Sequence, residues 1–277
     1  MKVTKAKNKI FVENPQDFDV VQTLNCGQIF RYIIDGNTAK VFSQSKKADI
    51  CFDSNKIEIT TADVDYFFNF FDLSTDYGAI KNELFKDQLV APAVKFAPGI
   101  RIINNDTYEM LISFIISANN NIGRIKKSIE YLCAHFGECC GDYYAFPTLS
   151  ELKKATVQDF VAAGLGYRAE YMFDTVQKLT SQDIENLKSA DNQTKFEMLT
   201  SFKGIGEKVA NCIMLFGLGV KDVFPVDVWI NKVYNHIFGV NVSDRKKITK
   251  ELTARYGKLS GYAQQYFYYY YRENKID

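Results

Sequence analysis

Between about residue 193 and residue 218 the sequence leaves little freedom of local structure. Two stretches with helical spacing meet in "LTSFKGIGEKVANCIMLF", and only Gly204-Ile205-Gly206 and its neighbours are left to join them, so the chain must turn back as a helical hairpin. The two glycines leave the amides of Gly204, Ile205 and Gly206 with little side-chain cover, which suits contact with a phosphate oxygen. A glycine pair ahead of a helix is also an ordinary helix connection, and the hairpin alone does not choose between the two. The second helix carries Lys208 in its first turn. The positive end of a helix dipole disfavours an ammonium there by about 0.3–1 kcal/mol, and Asp or Glu is the usual structural choice. A lysine at that point calls for a functional reason.

Asp227 follows Pro225 and precedes "VWINKVYNHIF", the position of an N-cap. One helix and the loop "GLGVKDVFPVD" separate it from Lys208, a length that lets the two helix starts return side by side. Elsewhere residues 27–60 read as antiparallel strands, with "GQIFRYII" and "TAKVFSQ" around Asp35-Gly36-Asn37, and "DICFD" and "KIEITT" around Ser54-Asn55. From about residue 99 the period becomes helical. Asp106 and Glu109 have capping-box spacing, Ile122, Ile125, Ile129, Leu132 and Phe136 keep helical register up to Gly137, Thr148 and Glu151 cap a further helix, and "GYAQQYFYYYYREN" reads as a last, aromatic-rich helix. The expected fold is α+β: an N-terminal antiparallel β-rich lobe over 1–98, a boundary near Ala97-Pro98-Gly99, and a helical domain over 99–277.

With 277 residues, 47% of them hydrophobic and 14% aromatic, the chain can bury cores for two or three lobes. No run approaches the roughly 18 apolar residues of a membrane span, and the first residues lack the apolar stretch of a secretory signal. The six cysteines have no CxxC spacing, so reduced thiols are expected, and two distant histidines do not make a metal site. A net charge of +1 neither requires nor excludes a nucleic-acid partner.

Five segments in order, "GQIFRY", "SANNNIGRI", "GLGYRAEY", "KGIGEKVANC" and "PVDVW", resemble the 8-oxoguanine DNA glycosylase/AP lyases of the helix-hairpin-helix, Gly-Pro-Asp superfamily, and they span nearly the whole chain. The Gly-Pro part departs, reading "FPVDV". The resemblance implies a bifunctional repair enzyme that flips 8-oxoguanine, opposite cytosine, out of double-stranded DNA, excises it with Lys208 as Schiff-base nucleophile and cuts the strand by β-elimination. Asp227 would stabilise positive charge growing on the deoxyribose. The Gly27 carbonyl would accept the N7 hydrogen that guanine lacks, Cys212 and Tyr268 would stack on the two faces of the base, and Gln264 would read its pairing edge. The tyrosine run leaves the register of that aromatic open, and core packing is the alternative for each tyrosine. Asn119 would fill the gap in the duplex, Arg124, Tyr167 and Arg168 would meet the estranged cytosine, and Gly204 and Gly206 would grip the backbone. Trp229 stands where relatives often have histidine near a phosphate.

For Lys208 to act, its amine must lose a proton, and bringing an ordinary pKa of about 10.4 to near 7 takes roughly 4–5 kcal/mol. Burial is expected to contribute most of that, because a neighbouring Asp227 would raise the amine instead. No cofactor is expected. The absence of cysteine after Cys212 excludes the C-terminal four-cysteine iron-sulfur cluster of related enzymes, and a structural cation on the carbonyls of Thr200, Phe202 and Ile205 is an optional feature of the superfamily. The expected enzyme is a monomer, in the cytoplasm with the nucleoid or in a nucleus. Two further readings stand beside it: a noncatalytic helix-hairpin-helix DNA-binding protein, which needs neither Lys208 nor Asp227, and a glycosylase for another damaged purine.

Overall fold

The computed structural model describes residues 1–275. Strands β1 (Lys2–Ala6) and β2 (Lys9–Glu13) form a first hairpin, followed by α1 (Val20–Asn25) and by β3 (Tyr32–Asp35), β4 (Thr38–Ser43), β5 (Lys46–Phe52) and β6 (Lys56–Thr60). They make one six-stranded sheet in the order β1-β2-β6-β5-β4-β3, with each neighbouring pair antiparallel. Alternation sets its inner face: Ile10 pairs with Ile59, Val12 with Ile57, Ile50 with both Ile59 and Ala39, and all these side chains are buried. Phe18, Leu24, Phe67, Phe70 and Phe71 cover that face.

Two expectations are corrected here. The segment "GQIFRYII" enters the sheet only at Tyr32, because Gly27 turns the chain with φ +80° and Gln28 is fully buried between the lobes. The Gln28 amide donates to Thr23 O (2.9 Å) and Arg101 O (2.7 Å) and accepts from Ile103 N (2.8 Å), leaving no strand partner to choose. Helices also begin well before residue 99, with α1 and then α2 (Val64–Phe70), α3 (Tyr77–Leu84) and α4 (Ala91–Phe96). Tyr77, Leu84, Val90, Val94 and Ala97 belong to the helical core.

The helical lobe continues with α5 (Thr107–Ser117), α6 (Ile122–Phe136), α7 (Leu149–Leu152), α8 (Val157–Ala162), α9 (Arg168–Lys178), α10 (Ser181–Ser189), α11 (Asn192–Ser201), α12 (Glu207–Gly217), α13 (Val228–Phe238), α14 (Arg245–Tyr256) and α15 (Ser260–Glu273). α5 is the central helix: every residue from Glu109 to Ser117 is buried, and it packs along α12, α6 and α9. Thr148 and Glu151 form the expected capping box.

At the start of α5 the expected box is only half made. Asp106 caps Glu109 N at 2.9 Å, but the Glu109 carboxylate turns away to accept Gln44 N at 2.8 Å. Gln44 sits in the β4–β5 turn with φ +54°, uncommon for a side chain, and its surroundings hold it there. Its side-chain amide donates to Asp106 Oδ2 at 2.7 Å, and its carbonyl accepts Phe146 N at 2.8 Å. The turn is thereby plugged into the N-terminus of α5. The fully buried Arg31 beside it donates to Tyr144 O (2.6 Å) and Glu130 Oε1 (3.2 Å). Burial raises the Glu109 carboxyl to about 7, against the opposing pull of Arg31.

Candidate active site

The hairpin between α11 and α12 turns on Gly204, whose φ is +86° and where a Cβ would lie 2.9 Å from the Tyr171 ring. Only glycine fits there without displacement. Gly206 is the N-cap of α12 and has open space around it. Lys208 therefore leaves the second position of α12, as its sequence position demands. Asp227 is the N-cap of α13, accepting Ile230 N at 2.8 Å. Both residues line one cleft of about 610 Å³, together with Gly27, Asn119, Trp229 and Tyr268. The ammonium nitrogen of Lys208 lies 5.6 Å from the centre of the Phe114 ring, which supplies an apolar floor.

The charge of that lysine runs against expectation. Burial, the largest single influence, lowers its pKa, but Cys212, Asp227, Tyr268 and the approach to the Cys212 sulfur more than offset it, so the pKa stands above its ordinary value. Burial raises the Cys212 thiol and the Tyr268 phenol, which keeps both protonated near neutral pH. Asp227 is then the anion that holds the proton on Lys208. The expected depression by burial is reversed, because the cleft sets the Cys212 sulfur and the Asp227 carboxylate close to the amine.

Tyr268, and neither Tyr269 nor Tyr270, reaches the cleft. Its ring lies against Gly27: a Cβ at that glycine would lie 3.0 Å from the ring and 3.2 Å from the hydroxyl. Cys212 and Gln264 are buried, outside the cleft lining, and Gln264 accepts a hydrogen bond from the Gln265 side chain at 2.8 Å. Asn119 is exposed with φ +50° in the loop after α5. Arg168 is buried and donates to Ala118 O (2.5 Å), Asn119 O (2.6 Å) and Leu165 O (3.2 Å), so its guanidinium braces that loop. Tyr167 is exposed beside it, with the guanidinium 4.4 Å from its ring centre, and Arg124 is exposed on α6.

Phe30, Phe114, Val228 and Arg245 also line the cleft and were not singled out from sequence. Arg245 opens a run "RKK", which reads as a solvated charge cluster. The signal that could have found it is the one that marks Lys208, a cation in a first helical turn. A cavity of about 560 Å³ between α3 and α14 is of similar size, but its Arg255 and Asp87 are paired with each other at 2.6 Å. No cluster of three or more His, Cys, Asp or Glu suited to a metal occurs among the described residues, and no helix is long and apolar enough to cross a membrane.

Comparison with known proteins places this geometry. The family model of the HhH-GPD superfamily base excision DNA repair proteins matches residues 112–258, and that of the 8-oxoguanine DNA glycosylase N-terminal domain matches residues 10–111. The N-glycosylase/DNA lyase of Saccharomyces cerevisiae is 36% identical over 60% of this chain and 48% of its own length. A "probable N-glycosylase/DNA lyase" of Methanothermobacter thermautotrophicus is 30% identical over 77% of this chain and 75% of its own. The chain thus spans about half the length of the yeast relative and three quarters of the archaeal one. Among solved structures, the 8-oxoguanine glycosylase/lyase of Clostridium acetobutylicum without DNA is 36% identical with a TM-score of 0.90, covering 97% of this chain and 98% of that one. The same enzyme with double-stranded DNA containing cytosine opposite 8-oxoguanine gives 0.89, covering 100% and 99%. With a helical hairpin, a lysine and an aspartate at adjoining helix starts, and both family models matched in order, the chain belongs to the HhH-GPD superfamily of base excision DNA repair proteins, in the branch that carries the 8-oxoguanine DNA glycosylase N-terminal domain.

Proposed function

We propose that this chain excises 8-oxoguanine from double-stranded DNA, opposite cytosine, and then cuts the strand as a lyase. The observation that carries the reading is that Lys208 and Asp227 line one cleft with Gly27 and Tyr268, in a chain of this superfamily. Once its ammonium gives up a proton, Lys208 Nζ attacks the sugar C1′. The bond to the base breaks with its electron pair on the base, which takes up a proton as it leaves. The Asp227 carboxylate stabilises the positive charge that grows on the sugar during that step. The C1′–O4′ bond of the lysine adduct then breaks, the ring oxygen taking up a proton as the C4′ hydroxyl, to give the open-chain imine; loss of a C2′ proton and β-elimination expel the 3′ phosphate.

The Gly27 carbonyl faces the N7 hydrogen of 8-oxoguanine. Guanine leaves that acceptor unpaired, at a cost of about 1–3 kcal/mol if buried. Cys212 and Gln264 meet the base only when the Tyr268 ring swings off Gly27, so entry of the base and movement of the ring are one event. Asn119 enters the vacated space, Tyr167 and Arg124 approach the estranged cytosine, and Arg168 joins them if it leaves the Asn119 loop. The bare amides around Gly204 and Gly206 take the backbone. The enzyme works as a monomer without a cofactor, and a cation on the carbonyls of Thr200, Phe202 and Ile205 would be structural.

Borohydride trapping on a duplex with 8-oxoguanine opposite cytosine tests this. The wild type forms a covalent adduct, and Lys208→Gln loses it while still binding. Equal trapping by the variant removes Lys208 from the role. Trapping of the wild type only on another damaged base changes the substrate.

A further inference from the structure

We propose that Arg245, with Lys246 beside it, is a binding point for a backbone phosphodiester of the substrate strand, set on α14 across a cavity from the start of α12. Arg245 lines the cleft that holds Lys208 and Asp227, and it also lines a second cavity of about 320 Å³ with Gly206, Lys208, Lys246 and Thr249. The two cavities share a rim at Lys208 and Arg245. A strand with one nucleotide inserted in the first cavity must continue across that rim.

The charges on α14 are otherwise unexplained. Arg245, Lys246 and Lys247 occupy its first turn, where the helix dipole disfavours cations, and Asp244 caps Lys247 N at 3.2 Å. Lys247 lies 3.9 Å from Glu251, whereas Arg245 and Lys246 have no ion-pair or side-chain hydrogen-bond partner among the described residues. Glu207, the carboxylate that lines the second cavity, makes no ion pair with either of them among those residues. Two free cations beside one rim fit an anion with several oxygens. A guanidinium forks onto two phosphodiester oxygens at once, which an ammonium cannot do in a plane.

This rests on the proposed function, and the experiment separates the two. Binding is measured on an 8-oxoguanine duplex whose lesion sugar carries a 2′-fluorine, which disfavours positive charge on the sugar and so slows cleavage. Replacing Arg245 with Gln should reduce the slope of log affinity against log salt by about 0.9, so that raising salt from about 50 to 200 mM weakens the variant about 3.5-fold less than the wild type. Arg245→Lys should restore the slope, because it restores the charge. The melting temperature should stay put, since the side chain has no partner to lose. An unchanged slope in Arg245→Gln overturns the proposal. Failure of the wild type to trap on the unfluorinated duplex refutes the 8-oxoguanine reading instead, and leaves the slope to be judged alone.

Discussion

Arg101 and Lys208 are both cations drawn away from bulk water, and the molecule treats them in opposite ways. Arg101, fully buried between the lobes, gives Nε to Phe71 O (2.9 Å) and its terminal nitrogens to Asp17 O (3.0 Å), Thr75 O (3.1 Å) and Asp72 O, and it stacks 3.9 Å from the centre of Tyr77. Arg31 is tied in the same manner to the carbonyls of Gln44 and Tyr144. Around the cleft, Lys208 and Arg245 form no ion pair within 4.0 Å among the described residues, although Asp227 lies across from Lys208. The joint commits its charges to the protein's own carbonyls, where desolvation demands a partner for each donor. The cleft keeps its charges facing solvent, where a substrate can reach them. Burial alone does not separate the two; the kind of partner does, backbone carbonyls for Arg101 and side chains of the cleft for Lys208.

That contrast can be broken at three points. Replacing Arg101 with Met should cost about 3–5 kcal/mol in urea unfolding, because four carbonyls lose their donor, while trapping by the remaining folded protein stays intact. A cost near zero would mean the joint is no more dependent on its charge than the cleft is. Asp227→Asn keeps a residue able to cap α13 but removes the anion. Base release should slow by about 10²–10³-fold in single turnover. Since Asp227 raises the Lys208 pKa, its removal should also move the pH profile of borohydride trapping toward lower pH; a shift the other way, or none, sinks the assignment of that anion.

Glu109 gives the smallest effect. Its folded carboxyl is raised from 4.5 to about 7, so the folded state holds the proton more tightly than the unfolded chain. This contribution is fully present below about pH 4.5 and is lost as pH rises through about 7, a fall on the order of 3 kcal/mol. Glu109→Gln should be free of that fall. Urea midpoints for both proteins at about pH 5 and 7.5 compare them directly, and a wild type that gains stability over the interval relative to the variant would contradict the raised carboxyl.

What the sequence disclosed followed local rules. The turns at Gly36-Asn37 and Ser54-Asn55, the box at Thr148 and Glu151, and the N-cap at Asp227 each depend on residues a few positions apart, and each is present. The β1–β2 hairpin escaped notice because its turn, Lys7-Asn8, has no glycine and β1 is almost wholly exposed. The Phe-rich stretch of α2 carries strand-forming residues at helical spacing, and packing against the sheet decided the outcome. Glu109 has the spacing of a cap, but its partner lies 65 residues away in the β4–β5 turn. The cleft was legible through its helix starts and ordered segments. The charge of Lys208 was not, because it is the balance of burial against Asp227, Cys212 and Tyr268, and no spacing reveals which prevails.

The plug of Gln44 into α5 has a mechanical meaning. α5 is 11 residues long, about 16 Å of rigid rod, with the sheet gripping one end and the loop of Asn119 hanging from the other. A load on the N-terminal sheet is carried along that rod to the Asn119 loop at the wall of the cleft, so the β-rich lobe and the cleft rim move as one lever.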